Sequence, residues 1–170
     1  MTVIDATPKD AADIARLVNA AYRPAASARG WTDEHELIEG DRTDAADIMQ
    51  ALAGDRIILL RDTPDGPIRA CARLANTGHT IYVSTVAVDP ADQGHGLGTK
   101  LFEWIEANAR AAGRSALALS VIAQRTSLIA WYGRRGFLHT GDVQPFPYDD
   151  SRVGRPLRDD LTLVTLRKAL

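Results

Sequence analysis

Val86-Ala87-Val88-Asp89-Pro90-Ala91-Asp92-Gln93-Gly94-His95-Gly96-Leu97-Gly98-Thr99-Lys100 is the stretch on which the architecture turns. The residues leading into it, Ile81 to Val88, are apolar and rich in β-branched side chains, the pattern of a strand. Asp89-Pro90 stops that strand, because proline has no N–H to give to a ladder. Three glycines follow at alternate positions, and a helical pattern begins at once. Glycines let the backbone curl so that several N–H groups converge. The first turn of the helix adds more unpaired N–H groups and the positive end of its dipole. The expectation is a phosphate or pyrophosphate cradle made of main chain.

Two familiar glycine motifs do not fit. A P-loop needs glycine and lysine side by side before Ser or Thr; here Thr99 separates Gly98 from Lys100. A dinucleotide fingerprint needs a third glycine three residues after the second; those places hold Thr99 or Leu101. The strand that follows, through Ser120, offers no acid to hold a ribose. What remains is Gln93-x-x-Gly96-x-Gly98, preceded by Val-Ala-Val and followed farther on by Tyr132-Gly133-Arg134-Arg135-Gly136-Phe137. This combination resembles the acetyl-CoA signature of the GNAT family of N-acetyltransferases.

Working outward, the chain reads as alternating elements. Thr2 to Asp5 is a short strand, and Thr7-Pro8 opens a helix with the stripe Ile14, Leu17, Val18, Ala21. Tyr22 to Gly30 is a loop. A second helix is expected from Thr32 to Glu39, and a third from Thr43 to Gly54 with Ile48, Met49 and Leu52 inward. Arg56–Arg61, Ile68–Leu74 and the run ending at Val88 form an antiparallel meander. A helix from Thr99 to Ala112 and an almost wholly apolar strand, Ala116 to Ile122, complete a parallel βαβ unit. Thr126 to Arg135 is a helix and Phe137 to Thr140 a strand. Asp142 to Asp160 is a connection rich in proline, glycine and charge, and Leu161 to Arg167 closes the chain as a strand. No internal repeat is visible. The fold class is α/β (α+β), a single domain over 1–170. A mixed central sheet of about seven strands follows the order β-α-α-β-β-β-α-β-α-β-β, which is that of the GNAT fold.

Composition narrows the function classes. The 170 residues carry 20 Lys and Arg against 22 Asp and Glu, a net charge of −2, which gives no pull toward nucleic acid or an anionic membrane. Cys71 is the one cysteine, so there is no internal disulfide framework, and its place in a strand suits a buried thiol. No stretch reaches membrane-spanning length and no signal-like N-terminus is present, so a cytoplasmic protein is expected. Four scattered histidines show no metal-ligand spacing.

The resemblance implies a site as well as a fold. Main-chain groups of Val86, Ala87 and Val88 would hold the pantetheine arm. Gln93, Gly94, His95, Gly96, Leu97, Gly98 and Thr99 would hold the pyrophosphate, and Lys100, Arg110 and Arg125 are cations available to the cofactor. Arg125 stands where many relatives carry Asn. Tyr132, in the family's Tyr-x-x-x-Gly-Phe ending, would protonate the departing thiolate; a phenol with a pKa of about 10 suits a thiolate of similar basicity. The strand before the cradle, Thr80 to Thr85, lacks the carboxylate that many relatives place there, so Glu34, His35, Asp160 or ordered water are the alternatives for a base. Trp31, Glu34, Tyr82 and Ser84 are the candidate acceptor-binding residues. Acids between Asp33 and Asp47 favour a cationic amine, whereas Arg152, Arg155 and Arg158 favour an acceptor with a carboxylate. The implied activity is transfer of an acetyl group from acetyl-CoA to a small primary amine in a ternary complex. A non-catalytic acyl-CoA-binding module and a protein N-terminal or lysine acetyltransferase are the rival readings, and a homodimer is compatible with the late strands.

Overall fold

The computed structural model describes residues 1–23 and 33–170. A short strand, Thr2–Asp5 (β1), leads to helix Ala11–Tyr22 (α1). The Asp10 carboxylate takes the Thr7 N–H at 2.7 Å just before that helix. A two-residue strand, Ile38–Glu39 (β2), precedes helix Ala45–Gly54 (α2), capped by the Asp44 carboxylate on the Asp47 N–H at 2.8 Å. The meander is Arg56–Arg61 (β3), Ile68–Thr77 (β4) and Thr80–Val88 (β5). Leu97–Ala111 (α3), Ala116–Ile122 (β6), Thr126–Gly133 (α4) and Leu138–Pro145 (β7) follow. Arg155–Pro156 (β8) and Thr162–Ala169 (β9) end the chain.

Seven strands form one mixed sheet in the order β1-β3-β4-β5-β6-β9-β7. The meander is antiparallel, and β5 and β6 are parallel with α3 as their crossover, as the hydrophobic pattern predicts. Each face of the sheet buries its own cluster. On one side Leu97, Leu101, Phe102 and Ile105 of α3 and Tyr132 of α4 pack on Val83, Val88 and Leu119. On the other, Ile14 and Val18 of α1 and Ile48 of α2 pack on Ile57, Leu59 and Cys71. No helix among the described residues is long and apolar enough to cross a membrane.

Three expectations need correcting. The helix expected from Thr32 to Glu39 is, over its described part, a turn followed by β2. The Asp33 carboxylate accepts the His35 N–H at 2.9 Å, a local bond that competes with a helix, and Ile38 is spent on pairing with Pro156. Met49, expected inward, is 53 % exposed, while Ala51 takes the buried place. The strand expected to stop at Thr140 continues to Pro145. Glycine and proline make the segment look like a loop, but β9 inserts between β6 and β7 and leaves β7 on the edge, where proline is tolerated. A register shift between His139 and Val143 absorbs Gly141, whose φ is +93°.

Candidate active site

The site begins where two parallel strands part. β5 and β6 are in register from Thr80–Ala116 to Tyr82–Ala118 and no farther. Beyond Tyr82 they diverge, because β5 carries a bulge: Cys71 pairs with Ala87 but Arg73 pairs with Ser84, so β5 holds one residue more than β4. Thr85, at that bulge, has φ +50°, a left-handed conformation that a β-branched residue rarely adopts. The gap is an inner cavity of about 230 Å³. Its walls include Ser84 and Val86 from β5, Leu119 and Val121 from β6, and Leu128 and Tyr132 from α4. Phe146, Pro147 and Val153 of the late connection line it as well.

Tyr132 is 5 % exposed. Its ring makes edge contacts with Phe102, Trp131 and Phe137 at centroid distances of 5.6, 5.1 and 5.5 Å. Burial drives its phenol well above the ordinary value, Tyr22 adds to the shift, and Arg125 and Arg135 oppose it. Across any working pH it therefore holds its proton and can act as a donor, not as a base.

Below the cavity, past Val88, the chain enters the glycine turn. Gly94 and Gly96 have φ of +83° and +77°, and α3 starts directly at Leu97. A second hollow, of about 580 Å³, is lined here by Val88, Gln93, Gly94, Gly96, Gly98 and Thr99. This is the glycine turn and helix N-terminus expected from the sequence. His95 is exposed, its ring nitrogen 3.2 Å from the Asp92 carbonyl. The Gln93 amide donates to the Val88 carbonyl at 3.2 Å. Asp92 also lines the hollow, its charge answered by Arg69 at 2.5 Å.

The candidate cations divide. Lys100 is exposed and does not line the hollow, and Arg110, roughly 20 Å along α3 from Leu97, faces Glu106 at 3.7 Å. Arg125 turns into the inner cavity and donates to Glu34 at 3.0 Å. Arg135, which the sequence reading passed over as a spacer in Tyr-x-x-x-Gly-Phe, lines the hollow instead. Its guanidinium carbon sits over Trp131, 3.4 Å from the ring centroid, and the group donates to the Thr99 hydroxyl.

On the acceptor side Glu34, Tyr82 and Ser84 all line the inner cavity; Trp31 lies outside the described residues. Glu34 is a buried carboxylate with an arginine on each oxygen: Arg23 at 2.7 Å and Arg125 at 3.0 Å. His35 pairs with Asp33 at 2.5 Å and Asp160 with Arg158 at 2.6 Å, and neither lines the cavity. Arg152, Arg155 and Arg158 are each already held by an acid, Asp150, Glu39 and Asp160.

Sequence reasoning missed Tyr22. It reads as the start of a loop, yet its hydroxyl donates to the Val86 carbonyl at 2.9 Å and its ring lines the cavity. Burial raises that phenol to about 12, with Glu34 adding to the effect. The signal was the apolar spacing of α1, which carries on through Ala21 and puts Tyr22 at the sheet.

A sequence profile of the acetyltransferase (GNAT) family matches residues 16–137. An IAA acetyltransferase of Azospirillum brasilense is 34% identical over 103 residues, which are 59% of this chain and 67% of that protein. Among solved structures, the ribosomal-protein-S18-alanine N-acetyltransferase of Escherichia coli superposes with a TM-score of 0.72 over 99% of this chain and 92% of its own, at 18% identity. A GNAT family acetyltransferase of Elizabethkingia anophelis, solved with acetyl-CoA bound, gives 0.68 over 99% and 97%, at 18% identity. At such identities the structural likeness speaks for the fold.

Proposed function

The chain belongs to the GNAT acetyltransferase family, and from that premise we propose that it transfers an acetyl group from acetyl-CoA to the primary amine of a small molecule, by direct attack while both are bound. One observation carries the reading. Val86 lines the inner cavity and Val88 lines the glycine hollow, so a single short run of β5 joins the two. Two residues of strand span about 7 Å, and an extended thioester arm laid along them reaches from the hollow to Tyr132.

Acetyl-CoA, the family's cosubstrate, supplies the activated thioester. The amides of Gly94 to Thr99 and the dipole of α3 hold its pyrophosphate. Val86 and Val88 each have a carbonyl already bonded, to Tyr22 and to Gln93, so their main chain offers the arm its N–H groups and one remaining lone pair per carbonyl. A main-chain N–H of this run polarises the thioester carbonyl. Tyr132 gives its proton to sulfur as the carbon–sulfur bond breaks and the carbon–nitrogen bond forms. The proton of the attacking amine leaves through water, because the carboxylate in the cavity, Glu34, has both oxygens on guanidinium groups. A cavity of about 230 Å³, lined in part by Phe146, Pro147 and Val153, suits a small acceptor more than a peptide. We place the enzyme in the cytoplasm, where acetyl-CoA is made and used.

The test is release of coenzyme A over a panel of amines, with Tyr132→Phe beside the wild type. Loss of the acid should lower kcat about 10²-fold or more and leave acetyl-CoA affinity intact. Tight acetyl-CoA binding with no turnover of any amine, and Tyr132→Phe indistinguishable from wild type, would make the chain a binding module instead.

A further inference from the structure

The acceptor side of the cavity holds a cation that no carboxylate answers among the described residues. Arg42 lines both the inner cavity and an outer hollow of about 510 Å³, which share Arg42, Ser84, Thr85 and Val153. The guanidinium sits 5.7 Å from the centroid of the Tyr22 ring, the ring whose hydroxyl is fixed on Val86. Among the described residues no carboxylate pairs with it, and residues 24–32 contain no Asp or Glu. Its neighbours differ. Arg23 and Arg125 share Glu34, and Arg152, in the outer hollow, is held by Asp150 at 2.7 Å. Among the described residues the inner cavity is thus lined by the guanidinium groups of Arg42 and Arg125, with Arg23 behind Glu34, against one carboxylate, that of Glu34; Asp47 lines only the outer hollow.

That balance opposes a cationic acceptor, and it leaves a planar fork where an anion would enter. The walls of the inner cavity are mainly apolar, with Ile38, Leu119, Leu128 and Phe146 among them, beside Ser84, Ser120 and the mutually paired Glu34 and Arg125. We infer that the acceptor is a small amino acid with an apolar body: its carboxylate pairs with Arg42 at the mouth, and its amine points to the Tyr132 end. This rests on the transferase reading above and names the substrate class of that same site. The preference for a carboxylate expected from Arg152, Arg155 and Arg158 thus passes to Arg42, which has its charge to spare.

The experiment compares kcat/KM, by coenzyme A release, for leucine, methionine and phenylalanine with their amides and with the amines left by removing the carboxyl group. The amides carry the more readily deprotonated amine, so the comparison is weighted against the inference. The acids should lead by at least about tenfold. Arg42→Gln should erase that lead, mainly through KM, and Arg42→Lys should keep part of it. Retained acetyl-CoA binding by Arg42→Gln certifies its fold, and the wild-type comparison stands without the variant. Amides or plain amines used as well as the acids, or a lead that survives Arg42→Gln, overturns the inference and leaves the transferase reading in place. No turnover of any compound in the set, amines included, overturns both.

Discussion

The hydroxyl of Tyr22 donates to the carbonyl oxygen of Val86 at 2.9 Å. The bond ties the last residue of α1 to the strand one position past Thr85, where β5 is forced to positive φ. A bulge costs the strand its regular ladder bonds, and the carbonyl just beyond it would otherwise lack a partner among buried side chains. The parting of β5 from β6 thus depends on a helix from the opposite face of the sheet.

Tyr22→Phe keeps the ring that Arg42 and Arg125 approach and deletes only the donor. The expected loss is about 1–2 kcal/mol, since a buried carbonyl is left unsatisfied, or a Tm lower by about 4 °C. Calorimetry measures it directly. An unchanged Tm would mean that the bond does not hold the bulge.

Glu34→Gln separates a structural role from a catalytic one. The carboxylate lies between Arg23 and Arg125, and all three side chains are under 10 % exposed (7, 8 and 8 %). Removing its charge leaves two buried cations facing each other, for which a loss of about 3–5 kcal/mol is the ordinary magnitude. The double variant Glu34→Gln/Arg125→Met should recover part of that loss, because one uncompensated charge is gone. Urea unfolding of the four proteins in this cycle reads both numbers. Wild-type stability with a collapsed kcat would instead make Glu34 the base.

What was legible in the sequence was what local pattern dictates. The 3.6-residue stripe of α1, the Asp44 cap of α2, and the strand, glycine turn and helix from Ile81 to Ala111 all follow from periodicity and backbone chemistry. β7 was misjudged because its exposure and its glycine reflect a place at the sheet edge, which only the insertion of β9 determines. The fate of each arginine was illegible for a similar reason. Arg42, Arg125, Arg135 and Arg155 look alike in a sequence, and which finds an acid depends on partners up to 116 residues away, as for Arg155 and Glu39. The glycine turn and the helix start after it are contiguous main chain and could be read. The inner cavity is assembled from α1, β2, β5, β6, α4 and the late connection: Glu34, Tyr82 and Ser84 were named for it from the sequence, whereas Tyr22 and Arg42 were not.

Among the described residues Arg135 is the cation that lines the glycine hollow, its guanidinium over Trp131 and bonded to Thr99. Arg135→Ala should weaken acetyl-CoA binding about tenfold, the worth of one charge-assisted hydrogen bond to phosphate in a partly exposed setting. Selectivity among acceptors should not move, because Arg135 does not line the inner cavity. Isothermal calorimetry with acetyl-CoA, set beside Lys100→Ala as a control from the same helix, decides it. Equal losses for the two would reduce Arg135 to a share of the general field.

Stability should fall toward alkaline pH, beginning with Cys71. Its thiol is fully buried between the sheet and α1, and burial raises it from 9.0 to about 12, the Ala87 backbone pulling slightly the other way. Tyr22 is raised from 10.0 to about 12 by the same cause. Above about pH 9 the unfolded chain loses a thiol proton that the native chain keeps, so the unfolded state binds fewer protons and stability declines as pH rises. Below that value both states hold the proton and the contribution is complete. The thiol alone gives a slope approaching 1.4 kcal/mol per pH unit, in round terms about 1 kcal/mol between pH 9 and 10, and the phenols steepen the fall above about 10. Cys71→Ala should lose a small constant amount at pH 7 but stay level until about pH 10, where the tyrosines take over. Unfolding curves collected from pH 7 to 11 on both proteins test this, and parallel declines from pH 9 would show that the thiol is not what titrates.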